Sequence, residues 1–167
     1  MKYFSIIFAI AIAFMVLSGC QQQKPDPSQE LKPITDKYVE VWNNGNVAEL
    51  DAIMDPNYVY HANNSPEVNG RDGMKKVITS FRTAYPDLKL VLEDEIFSEN
   101  KAVGRWHITA TNTGSGEMPP TGKSVDWWGI AILHFSNGKL KEEWTAYDNQ
   151  SLMEQLGYTL EPPKATK

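Results

Sequence analysis

Among the 167 residues of this chain, the side chains best placed to do chemistry lie on one hairpin. Residues 124–135 and 140–147 read as two strands, joined by Asn137-Gly138, which suits a two-residue type I′ turn with positive φ at both positions. Pairing Ser136 with Lys139 sets Phe135 against Leu140, Leu133 against Glu142, Ala131 against Trp144, Gly129 against Ala146 and Trp127 against Asp148. All five pairs then share one face, because strand side chains alternate. Small Gly129, Ala131 and Ala146 between bulky Trp127 and Trp144 leave room for a packed helix or a ligand. A carboxyl such as Asp148 beside two indoles is desolvated, which raises its pKa and suits it to proton exchange near neutral pH. The competing duty for Asp148 is to cap the helix that follows. Ser151 and Glu154 fit a capping box of their own and partly free it.

The three histidines offer fewer handles. His61 sits in a short strand, where its own reading is a hydrogen-bonded histidine at the rim. Arg105 and His107 share a strand face and could bind an anionic or carbonyl group if that face points inward; if Trp106 and Ile108 point inward, the pair is solvated. His134 lies on the hairpin face opposite Asp148. None of the three shows a close metal-ligand spacing such as HxH or HxxxH, so no metal is expected. Glu142 falls on the inner face in this register, near the turn where a rim position is expected, and Glu143 on the outer one. The sequence Pro119-Pro120-Thr121-Gly122-Lys123 lacks the upstream glycine of a phosphate loop and is expected to border a pocket mouth or a dimer contact.

The elements that must position these groups read as helices first and strands later. Leu31, Ile34, Tyr38, Val41 and Trp42 recur at helical spacing, predicting a helix over residues 28–44 that ends near Gly45. Residues 47–54 predict a short helix. Met74, Val77, Ile78, Phe81 and Tyr85 mark a third, stopped by Pro86. Strands are expected at 58–62, 88–97 and 102–111, before the hairpin and a closing helix. This order predicts an α+β fold with helices against one face of a sheet.

With these residues in view, the chain resembles the SnoaL-like polyketide cyclases, also called ester cyclases, of the nuclear-transport-factor-2-like superfamily. The resemblance runs through Trp42-Asn43-Asn44-Gly45-Asn46, Tyr58, His61, the stretch from Phe81 to Leu88, Pro120-Thr121-Gly122-Lys123, Gly138-Lys139-Leu140, Trp144, Asp148 and Gln155-Leu156-Gly157. It implies a cone-shaped, curved antiparallel or mixed sheet with helices on its concave face, around a pocket. It also implies that Asp148 is the acid/base of an intramolecular aldol condensation that needs no metal or organic cofactor. His61, Arg105, His107, Trp127 and Trp144 are the candidate substrate contacts. Family habit suggests a homodimer through the exposed sheet face bearing Trp128, Ile130 and Ile132.

The N-terminus carries a separate message. Lys2, an apolar run over residues 4–17 and Leu17-Ser18-Gly19-Cys20 match a bacterial lipoprotein signal, too short for a spanning helix; the alternative is an uncleaved apolar helix. Residues 1–19 are thus expected to be removed, Cys20 lipidated, 20–28 to form a tether, 29–160 the domain and 161–167 a tail. The protein would sit on the outer side of a bacterial membrane, held by lipid alone. Cys20 is the only cysteine, so neither an intrachain disulfide nor a catalytic thiol is available. Without Lys2 the chain has 15 basic and 21 acidic residues and a formal charge of −6, with no basic stripe for nucleic acid.

Two function classes follow. One is a cofactor-independent enzyme that moves a proton on a small hydrophobic or carbonyl-bearing substrate, giving cyclisation, isomerisation or hydrolysis. The other is a noncatalytic lipoprotein that holds a ligand or docks a protein. The catalytic-type aspartate favours the first.

Overall fold

A computed structural model describes residues 26–161 apart from Asn64, Glu117 and Leu160. The leader, Cys20 and residues 162–167 lie outside the described residues.

Helix α1 (Pro27–Asn44) starts where Asp26 accepts a hydrogen bond from the Ser28 amide and Pro27 takes the first turn, and it ends at Gly45 in the left-handed region. Its buried face is Leu31, Thr35, Tyr38, Val41 and Trp42. The short helix expected next is a 3-10 turn (Val47–Glu49) followed by α2 (Leu50–Ile53). Met54 already belongs to β1 (Met54–Ala62). This strand is longer than the expected 58–62, because its pairing with the last strand is irregular between Met54 and Val59, where Pro56 costs no ladder bond.

The remaining elements are β2 (Val68–Asn69), α3 (Arg71–Ala84), β3 (Lys89–Ser98), β4 (Lys101–Thr111), β5 (Ser124–Ser136), β6 (Lys139–Tyr147) and α4 (Asn149–Leu156). The strands form one curved sheet in the order β2-β1-β6-β5-β4-β3. β1 runs parallel to β6, and the other neighbours are antiparallel. The result is the α+β architecture expected, with the helices on the concave face. Asn43 of α1 holds β3 by a pair of bonds, its amide donating to the Leu90 carbonyl at 2.9 Å and accepting from the Leu90 amide at 2.7 Å. Gln155 of α4 does the same to Asp126 on β5, at 2.7 and 2.8 Å.

Alternation decides the two faces of the sheet. In β4 the even-numbered residues Ala102, Trp106, Ile108 and Ala110 are buried. In β5 the buried set is Val125, Trp127, Ala131, Leu133 and Phe135, leaving Trp128, Ile130 and Ile132 40–52% exposed. Gly129 is required here: a Cβ would lie 2.3 Å from the Trp106 ring, so only glycine lets that indole cross β5.

The hairpin carries the main departure from expectation. Asn137 and Gly138 have φ of 51° and 68°, and Ser136 faces Lys139 and Phe135 faces Leu140 as predicted. The next pair is His134 with Glu142, so Lys141 is an extra residue, a β-bulge. Beyond it every β6 side chain changes face. Glu143, Thr145 and Tyr147 turn inward; Trp144, Ala146 and Asp148 turn out. The bulge keeps Leu140 buried while Lys141 stays on the outside, its ammonium on Asp55 at 3.0 Å.

Candidate functional site

The concave face encloses a cavity of about 80 Å3. Each wall has a separate origin: Tyr38 and Trp42 from α1, Tyr60 from β1, Phe81 from α3, Trp106 from β4, Trp127 from β5, and Glu143, Thr145 and Tyr147 from β6. The lining is otherwise aliphatic apart from Thr35. Trp106 is oriented by its indole N–H, which donates to the Thr145 hydroxyl at 3.3 Å, and by the Tyr147 ring 6.1 Å away.

Among the described residues Glu143 is the one carboxyl in this lining, and it is 6% exposed. Two tyrosine hydroxyls donate to its Oε2, Tyr58 at 2.6 Å and Tyr38 at 3.0 Å. Among the described residues no hydrogen bond reaches Oε1, which leaves that oxygen to the cavity. Burial pushes the Glu143 carboxyl above the usual carboxylate range, against the two phenols, whose bonds favour the ionised form. Burial first, and the neighbouring carboxylate second, hold the Tyr38, Tyr58 and Tyr60 hydroxyls well above their usual values, so all three stay protonated. The arrangement is a desolvated acid with one oxygen fixed and the other free to exchange a proton with a bound molecule.

The residues singled out by sequence fall elsewhere, with one exception. Trp127 lines the cavity. Asp148 is exposed at the N-cap of α4, its Oδ1 accepting from the Ser151 amide at 2.9 Å. The expected capping box is therefore displaced: Asp148 is the cap and Ser151 supplies the amide it holds. Trp144 is 51% exposed on the outer face, stacked on His61 with ring centroids 3.8 Å apart. His61 also contacts Glu142 at 3.1 Å and Glu67 at 3.2 Å. Arg105 and His107 face outward because Trp106 and Ile108 take the inside; Arg105 pairs with Glu93, and His107 meets Asp126 at 2.5 Å. Cys20 lies outside the described residues. The loop expected to border a pocket mouth or make a dimer contact is tied to the end of β4 by Asn112, whose carbonyl oxygens accept from Gly122 at 2.9 Å and Thr121 at 2.8 Å.

Sequence reasoning missed Glu143, Tyr38 and Tyr58 as a unit. One signal was present: β6 contains adjacent Glu142 and Glu143, so neither regular register could keep both carboxylates out of the core.

The SnoaL-like polyketide cyclase family model matches residues 32–156 of the chain. A search of curated proteins finds no match. Among solved structures, TsrD from Streptomyces laurentii is 25% identical, with a TM-score of 0.70 over 77% of this chain and 96% of that one. A SnoaL-like polyketide cyclase from Agrobacterium tumefaciens is 22% identical, with a TM-score of 0.64 over 76% and 98%. A SnoaL-like protein from Jannaschia sp. is 19% identical, with a TM-score of 0.73 over 86% and 100%.

Proposed function

The chain belongs to the SnoaL-like polyketide cyclase family, and from that premise we propose that it binds a small molecule in the cone and transfers a proton on it through Glu143, without a cofactor. One observation carries this reading: the buried Glu143 carboxyl at the cavity wall, with Oε2 held by Tyr38 and Tyr58 and, among the described residues, no hydrogen bond on Oε1. As a neutral acid, Oε1 donates to a substrate oxygen. As a carboxylate, with its charge stabilised beforehand by the two phenols, it removes a proton from a carbon next to a carbonyl and becomes the neutral acid, while the negative charge passes to the substrate as an enolate. Return of that proton to another carbon gives isomerisation of a small carbonyl-bearing compound, and attack of the enolate on a second carbonyl, with the proton passed to the new alkoxide, gives cyclisation. Deuterium uptake at the α-carbons of small ketones, followed by proton NMR, tests the reading. Exchange with the wild-type chain that disappears in Glu143→Gln supports it; exchange indifferent to that substitution overturns it.

Export and lipid anchoring belong to the same proposal, supported by Leu17-Ser18-Gly19-Cys20. Mass spectrometry of Cys20 after expression in a bacterial host should find a diacylglyceryl adduct; an unmodified thiol on an intact leader contradicts it. Pairing of two copies through the outer sheet face is supported by exposed Trp128, Ile130 and Ile132. Sedimentation as a strict monomer would count against it.

A further inference from the structure

We propose that the ligand this cavity selects is a small organic cation, a tertiary or quaternary ammonium ion. The proposal shares with the function above the placement of Glu143, but it holds whether or not the cavity catalyses. Three features carry it.

The first is charge. Among the described residues, Tyr38, Tyr60 and Tyr147 are phenols of the lining, no lysine, arginine or histidine contributes to it, and Glu143 is its one carboxyl. An anionic ligand would therefore find no cation in this lining, only the proton of Glu143, whereas an ammonium ion gives the ionised Oε1 an opposite charge at short range. The second is the wall. Seven aromatic side chains line the cavity, and ring faces attract a desolvated cation where an aliphatic wall would not. The third is size. A cavity of about 80 Å3 is several times the roughly 10–15 Å3 that a single water requires. That suits a small alkylammonium ion.

Binding is then linked to ionisation. Glu143 gives up its proton to pair with the cation, so one proton leaves the protein per ligand bound at a pH where the free site is neutral, and affinity climbs as pH rises through the titration of Glu143.

Isothermal titration calorimetry of the full-length chain with choline, and with its uncharged carbon isostere dimethylbutanol, tests the proposal. Choline is expected to bind roughly ten- to thirtyfold more tightly than the isostere. Its affinity should rise with pH, and its apparent enthalpy should change with buffer ionisation heat as the released proton is taken up. In Glu143→Gln the preference for choline should vanish while the isostere still binds. The wild-type comparison in two buffers stands by itself if that variant folds poorly. Equal or tighter binding of the isostere, a choline preference unchanged in Glu143→Gln, or no binding of either compound overturns the proposal. If ketone exchange still depends on Glu143 in that event, the cation inference fails alone and the proton-transfer reading stands.

Discussion

The Tyr58 hydroxyl donates to Glu143 Oε2 across 2.6 Å and so joins β1 to its parallel neighbour β6 inside the core. The bond spans 85 residues of sequence, and it fixes which oxygen of Glu143 is turned to the cavity.

Removing that donor should move both acidity and stability. Tyr58→Phe deletes a bond that favours the carboxylate, so the Glu143 pKa rises further, and the buried acceptor loses its shorter partner at a cost of about 1–3 kcal/mol. Tyr38→Phe, at 3.0 Å, should do the same to a smaller degree. Urea denaturation and NMR titration of the two variants check the order; an effect of Tyr38→Phe larger than that of Tyr58→Phe would be inconsistent with it.

Asp148→Ala provides the control for chemistry. The residue caps α4 from an exposed position, so its loss should lower stability by about 1 kcal/mol and leave ketone exchange within twofold of wild type. An exchange rate reduced a hundredfold or more in a folded Asp148→Ala variant would return the acid/base role to Asp148.

The hairpin shows why the sequence could reveal one strand and hide the other. In β5 the polar Ser124, Asp126 and His134 fall on one face and Val125, Trp127, Leu133 and Phe135 on the other, so its inward face, Trp127 included, was legible. The turn was legible too, from Asn137-Gly138. The bulge at Lys141 was not, because it arises from a conflict among Leu140, Lys141, Glu142 and Glu143 that a regular ladder cannot resolve. Once it is present, Asp148 and Trp144 exchange sides with Glu143 and Thr145. Arg105 and His107 depended in the same way on one parity, set by the burial of Trp106. The partnership of Tyr38, Tyr58 and Glu143 joins α1, β1 and β6, and no local spacing announces it.

The pH dependence of stability has a definite sign. Glu143 holds its proton more tightly in the folded protein than in the unfolded chain. The stability this contributes is complete below the ordinary value of about 4.5 and is lost as pH rises through the folded value, at up to ~1.4 kcal/mol per pH unit. Glu143→Gln lacks this loss, so its stability relative to wild type should climb across that window. A constant difference between the two proteins in urea titrations from pH 4 to 8 (roughly the span of a raised carboxyl) would argue against a buried acid.

Gly129→Ala tests the wall. The added Cβ meets the Trp106 ring at 2.3 Å and the Ala146 carbonyl at 2.6 Å, so the indole must move and its bond to Thr145 breaks. A loss of about 1–3 kcal/mol is expected, with a shift in tryptophan fluorescence. Unchanged stability and fluorescence would mean that Trp106 does not need this glycine.

The most direct test is the pKa of Glu143 itself, read by carbon-detected NMR titration of its carboxyl, with Glu143→Gln to assign the resonance. A value above the ordinary carboxylate value of about 4.5, and higher still in Tyr58→Phe, is what a desolvated acid held by two phenols requires. A value at or below the ordinary one would mean a solvated carboxylate, and would contradict Glu143 as the proton-transfer group of the cavity.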